Sequence, residues 1–246
     1  MPKYFINMLN RIRSALLTKV TLVGLWVLLA NGNLFADGDK SIALTLKVNG
    51  NVQLKKAGTD RQIPLKFGTP LDDGDWVRTG ADGFATIIFT DDKSQIKLTA
   101  NTEVTVEGKR DDQANIAKRV SMEVGQVFAK VSQQRGALQI ATPTSVASVK
   151  GTEFWVIVFD DGTTQVVTLE GLVELLNTQS GRIVEVRPGQ RGEANRQGGV
   201  DVQNVPPDQQ RGDPDPGMAP PSDIEIEIQD PDGRTRRIII RYQEGE

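Results

Sequence analysis

Between residues 42 and 193 the chain alternates apolar and polar positions in short runs. In KSQIKL (93–98), Ile96 and Leu98 fall on one face and Gln95 and Lys97 on the other. TEVTVE (102–107) sets Val104 and Val106 against Glu103, Thr105 and Glu107, and VSMEV (120–124) turns Val120, Met122 and Val124 inward. A period of two marks half-buried strands. FATIIF (84–89) and FWVIVF (154–159) are apolar on both faces and read as central strands. Turn chemistry divides the runs at VNGN (48–51), DDGD (72–75), GADG (80–83), DDGT (160–163) and EGL (170–172). Their Gly, Asn and Asp residues supply the positive φ angles that tight turns need. No stretch in this region carries a convincing helical period. The expected class is all-β, with many short strands in a sandwich, a roll or a solenoid-like stack. Gly74, Gly80, Gly151, Thr152 and Gly171 are its expected turn and corner residues.

The pattern changes on both flanks of this β domain (42–193). Residues 194–223 are rich in Pro, Gly, Gln and charge and poor in large apolar side chains. Such composition buries too little surface to offset its ordering entropy, so a flexible, disordered linker is expected. Alternation returns in IEIEIQ (224–229), followed by the turn sequence DPDG (230–233) and RTRRIIIRY (234–242). Residues 224–242 are expected to form a β-hairpin with an Ile face of Ile224, Ile226, Ile228, Ile238 and Ile240. Glu225 and Glu227 on its first strand are placed to meet Arg236, Arg237 and Arg241 on its second. A lone hairpin is marginal in water, so those isoleucines are the expected partner-binding residues, docking on the β domain or on a partner's sheet edge.

At the other end, Lys3, Arg11, Arg13 and Lys19 precede the apolar run VTLVGLWVLLA (20–30), and NGNLFA (31–36) ends in a small residue. This is the layout of a secretory signal peptide, 1–36, with cleavage expected after Ala36. A spanning helix needs about 20 apolar residues, and Asn31, Gly32 and Asn33 cut this run short. Membrane association is expected only if the segment is retained, and otherwise a periplasmic or secreted location.

Composition then removes most enzyme classes. The 246 residues include no His and no Cys, which excludes imidazole acid–base chemistry, thiol nucleophiles and disulfides. With 29 basic against 32 acidic residues, nothing points to nucleic acid. VASVKGTEF (146–154) lacks the spacing of a phosphate loop, and no helix follows it. Ser94 and Lys97 match a Ser-x-x-Lys pattern, but in a strand residues three apart face opposite ways. Asp72, Asp73 and Asp75, the pair Asp91/Asp92 and the pair Asp160/Asp161 read as solvated turn residues, with weak calcium binding as the alternative. Arg211-Gly212-Asp213 reads as a product of linker composition. No catalytic residue, metal site or cofactor is expected.

GTPLDDGDWVRTGADGFATIIFTDDKSQIKLTANTEVTV (68–106) resembles the core of the FecR domain, the extracytoplasmic part of the iron-citrate regulator family. EVGQVFAKV (123–131), TPTSVASVKGTEFWV (142–156), VTLEGLVELLN (167–177) and RPGQ (187–190) extend the likeness over 48–192. One departure is DDKS (91–94), where the family has Asp-Gly-Ser. The resemblance implies an all-β, non-enzymatic envelope module in which Lys150-Gly151-Thr152 marks a strand corner. In the iron-citrate regulators this domain relays receptor occupancy to a membrane-linked anti-sigma region. That role calls for a cytoplasmic N-terminal domain, and residues 1–19 are too few for one. The expected function is protein binding, scaffolding or signal sensing in the bacterial cell envelope, with envelope proteins as partners through strand edges or the hairpin. Peptidoglycan or glycan binding, and a short-tailed membrane-anchored regulator, are the alternatives.

Overall fold

The computed structural model describes residues 41–132, 137–214, 223–229 and 235–241. The first half of the body runs through β1 (Ala43–Asn49), β2 (Val52–Lys55), β3 (Gln62–Pro64) and β4 (Pro70–Leu71), then β5 (Asp75–Thr79), β6 (Phe84–Phe89), β7 (Gln95–Leu98) and β8 (Glu103–Arg110). A long strand, β9 (Ile116–Lys130), leads into β10 (Leu138–Ala141), β11 (Ser145–Val149), β12 (Glu153–Val158) and β13 (Thr164–Glu170). The chain continues through β14 (Val173–Asn177), β15 (Ile183–Val186), β16 (Gln190–Ala194) and β17 (Val200–Asn204). The class is all-β, as the alternation implies.

Hydrogen bonding divides these strands between two layers that share β9. One layer runs β4-β1-β6-β7-β9-β12-β13-β16-β17, and the other β3-β2-β5-β8-β9-β10-β11-β14-β15. Every pairing is antiparallel except β9 with β10. Inward side chains of both layers meet in one core: Leu54, Val77, Val104, Val106 and Met122 from one, Ile87, Phe89, Ile96, Leu98 and Val127 from the other.

The shared strand works because it bends. Residues up to Val124 pair with β8, and from Gly125 onward the strand pairs with β12. Gly125 sits at φ 109°, and a Cβ there would lie 2.5 Å from both Cα and Oγ1 of Thr102. Only glycine allows that φ and that approach. Val124, expected inward, is half-buried because the strand turns at this point.

The same four-strand unit occurs twice. β5 pairs with β8 in one layer while β6 pairs with β7 in the other, and β11/β14 and β12/β13 repeat the arrangement. FATIIF and FWVIVF are thus equivalent strands, each followed by an Asp-containing turn. After the second unit the chain also passes from layer to layer at a glycine, Gly189 at φ 77°, between β15 and β16.

The linker expectation needs correction over residues 194–214. Ala194 lies in β16, Val200–Asn204 forms β17 against it, and a 3₁₀ turn follows at Pro207–Gln209. Composition misleads here because the ladder satisfies the backbone and only a few side chains, such as the buried Ala194 and Val200, need to reach the core. Residues 215–222 lie outside the described residues. Beyond them β18 (Asp223–Gln229) and β19 (Thr235–Arg241) pair as a separate two-stranded sheet. Its register sets Ile224 opposite Ile240, Ile226 opposite Ile238 and Glu227 opposite Arg237, whereas Glu225 stands opposite Ile239. The turn 230–233 lies outside the described residues, as do the whole segment 1–36 and its apolar run 20–30.

Candidate protein-interaction site

The corner residues come first because they set the strands that carry the site. Gly151 (φ 66°) ends β11, and the buried Thr152 hydroxyl donates to Leu172 O at 3.1 Å across the chain crossing. Gly171 (φ 80°) completes that crossing, since a Cβ there would lie 2.5 Å from Gly151 O. Lys150-Gly151-Thr152 is therefore a backbone corner between β11 and β12. Gly74 (φ 83°) turns the chain into β5. Gly80 does not have a positive φ; its N–H donates to Asn51 O at 2.8 Å, in a crossing too tight for a side chain at Gly83.

These corners hold β7, β9 and β12 side by side, and their outward faces bear a patch that is not part of the central core. Phe128 and Trp155 meet in a tilted contact, ring centroids 5.5 Å apart and planes at 59°, and Lys97 Nζ lies 5.9 Å from the Phe128 ring. Both aromatic residues are buried although they point away from the core, because residues 205–213 cross over them as a strap. Lys97 Nζ donates to both carboxylate oxygens of Asp213 at 2.6 Å. Trp155 Nε1 donates to Arg211 O at 3.1 Å and Gly212 O at 3.2 Å, and the Arg211 guanidinium donates to Gln126 Oε1 at 2.7 Å. Beside these contacts a cavity of about 180 Å³ remains, lined by Trp155, Ile157, Val167, Arg191, Val205 and Arg211 among others. Arg211-Gly212-Asp213 is thus a latch on the aromatic face. Lys97 is buried beneath it, where alternation alone places it on a solvated face.

The acidic turns divide into two kinds. Asp161 is exposed and caps its own turn, accepting from Thr163 N–H at 2.8 Å; that backbone bond, with the Thr163 side chain, holds it below the ordinary carboxylate value. Asp75 is fully buried: it accepts from Ala57 N–H at 3.0 Å, from Asp72 N–H at 2.9 Å and from Lys56 Nζ at 2.6 Å. Asp91 and Asp92 are buried against Lys118. The solvated-turn reading therefore fails for Asp75, Asp91 and Asp92, whose lysine partners lie far away in sequence. Among the described residues no group of three or more acidic side chains is arranged to hold a metal ion. Ser94 Oγ accepts from Ser132 N–H and Lys97 is engaged by Asp213, so the Ser-x-x-Lys pair is not assembled.

Strand edges supply the other surface. β3 is exposed along its whole length, and Ile183 of β15, at the opposite edge of the same layer, is 63% exposed. Among the described residues no helix is long and apolar enough to cross a membrane.

Residues 75–174 match the family model of the FecR protein. Two crystal structures of a candidate anti-sigma factor from Parabacteroides distasonis resemble the chain at 18% identity, with TM-scores of 0.44 and 0.43. Each match covers 53% of this chain and 59% of the other, so the chain spans less than two thirds of that protein's length. No curated protein matches the chain. The family match begins at the buried Asp75, takes in both copies of the four-strand unit and ends in β14, so that the likeness to the FecR protein lies in the centre of this molecule.

Proposed function

We propose that this protein is an exported, non-enzymatic FecR-type module that binds other proteins of the cell envelope, in a scaffolding or signal-sensing role. The observation that carries the reading is the latch: an extended segment lies across the aromatic face of β7, β9 and β12 and leads toward a hairpin that forms its own sheet. A two-stranded sheet has unpaired backbone groups on both outer edges, which a partner strand can extend. The exposed β3 and β15 edges suit the same mode of recognition. A chain with no His and no Cys fits a binding role better than a catalytic one. Trp155 is buried and offers no flat platform for a sugar. Export rests on the basic, apolar and small-residue layout of 1–36.

The test is affinity recovery from envelope extracts of the native host with the full chain and with a chain lacking 223–241. The truncation is expected to lose the recovered partners; unchanged recovery would remove the hairpin from the reading. Fractionation with N-terminal sequencing is expected to find a soluble chain beginning near Asp37. A membrane-bound chain that keeps Pro2 would instead favour an anchored regulator.

A further inference from the structure

Lys118 occupies an inward position of β9, between the buried Ile116 and Val120, and its side chain is 1% exposed. Its ammonium lies 2.8 Å from Asp91 Oδ2 and 2.9 Å from Asp92 Oδ2, and both carboxylate side chains are fully buried. The Phe89 ring stands 5.8 Å from the same nitrogen. Two carboxylates thus share this lysine away from solvent. Asp91 Oδ1 is buried and accepts no hydrogen bond among the described residues. A cluster built only as an ion pair would be expected to satisfy each buried oxygen, because an unpartnered acceptor there is costly.

We propose that this cluster is a self-modification site, at which Lys118 and Asp91 condense into an intramolecular amide with Asp92 as proton carrier. Each atom stands where that reaction uses it. Lys118 Nζ attacks Cγ of Asp91. Negative charge then develops on Oδ2, which already accepts from Ile116 N–H at 2.9 Å, so a backbone donor is in place to stabilise it. The unpartnered Oδ1 is the oxygen that leaves. Asp92 Oδ2 takes protons from the nitrogen and delivers them to Oδ1, while Ser94 N–H holds Asp92 Oδ1 at 2.9 Å. The balance is closed: a C–N bond forms and a C–O bond breaks. One of the three ammonium protons stays on the amide nitrogen, and two depart with Oδ1 as water. Asp92 returns to its starting state, and no oxidant or co-reactant is needed. Burial favours the product, because the ammonium and carboxylate give up the hydration that stabilises them in water. The bond would staple the β6–β7 turn to the strand that both layers share.

The experiment is intact-mass measurement of the full chain in denaturant, followed by digestion and tandem mass spectrometry. The chain is expected to be lighter than its sequence by one water, with Lys118 and Asp91 recovered in one branched peptide and no tryptic cleavage after Lys118. Asp-Gly turns such as Asp161-Gly162 also lose water by cyclising, so the branched peptide is the deciding observation. Recovery of Lys118 and Asp91 in separate linear peptides would overturn the proposal. Asp92→Asn, checked for folding by circular dichroism, is expected to leave the two side chains unjoined; linkage as complete as in the parent would overturn the role of Asp92.

Discussion

Single residues in this molecule matter most where the backbone has no alternative. Gly125 combines a left-handed φ with contact against Thr102, so Gly125→Ala brings both strain and a clash. A cost of about 2–3 kcal/mol is expected, read as a lower urea midpoint at unchanged slope. Lys56 makes a pH-dependent contribution. Burial works to lower its pKa, but hydrogen bonds to Asp72 and Asp75 and their negative charges outweigh that and raise it above the ordinary 10.5. A raised folded value means that the stabilisation is complete below the unfolded value and is lost as pH rises through the folded one. The stability difference between the parent and Lys56→Met is therefore expected to stay constant through neutral pH and to shrink above about pH 10.5. Urea titrations at stepped pH check this; a difference that shrinks on the acid side instead would contradict the assignment. Lys56, Lys97 and Lys118 also mark the boundary of what the sequence shows. Lys118 holds an inward phase between Ile116 and Val120, a signal that alternation carries. The partners of all three depend on contacts distant in the chain and have no local signature.

At the scale of elements, the strap 205–213 departs furthest from its composition. It holds no apolar run, yet the Lys97–Asp213 pair, the Trp155 indole and the Arg211–Gln126 bond hold it on the aromatic face. Asp213→Ala removes one end of a bridge whose lysine is nearly buried, and local opening of the strap is expected to become easier by about 1.4 kcal/mol. That corresponds to about tenfold faster tryptic cleavage after Arg211 under native conditions, where cleavage follows the open population. Tryptic rates at Arg211 equal to those of the parent would show that the latch does not depend on this pair. The strands were far more legible than the strap. β7 and β8 follow directly from their alternation, β6 and β12 from their continuous apolar runs, and the glycine-rich corners between them from turn chemistry. The equivalence of β6 and β12 emerges only from their pairing, because the intervening turns differ.

The whole molecule is governed by β9, which belongs to both layers and feeds a single core. Neither layer can lose its pairing with β9 without disturbing the other, so the body is expected to unfold in one transition. Calorimetry is expected to give equal van't Hoff and calorimetric enthalpies for that transition. Two resolved peaks would mean that the two repeated units melt separately. The all-β class, the corner glycines and the FecR likeness were determined by local chemistry, since period, φ requirements and turn residues act within a few positions of the chain. Layer order, the bend at Gly125, the burial of Asp75, Asp91 and Asp92, and the ordering of 194–214 were decided only by tertiary structure. Each of these depends on which distant segment arrives opposite, and burial and charge pairing become definite only once it has.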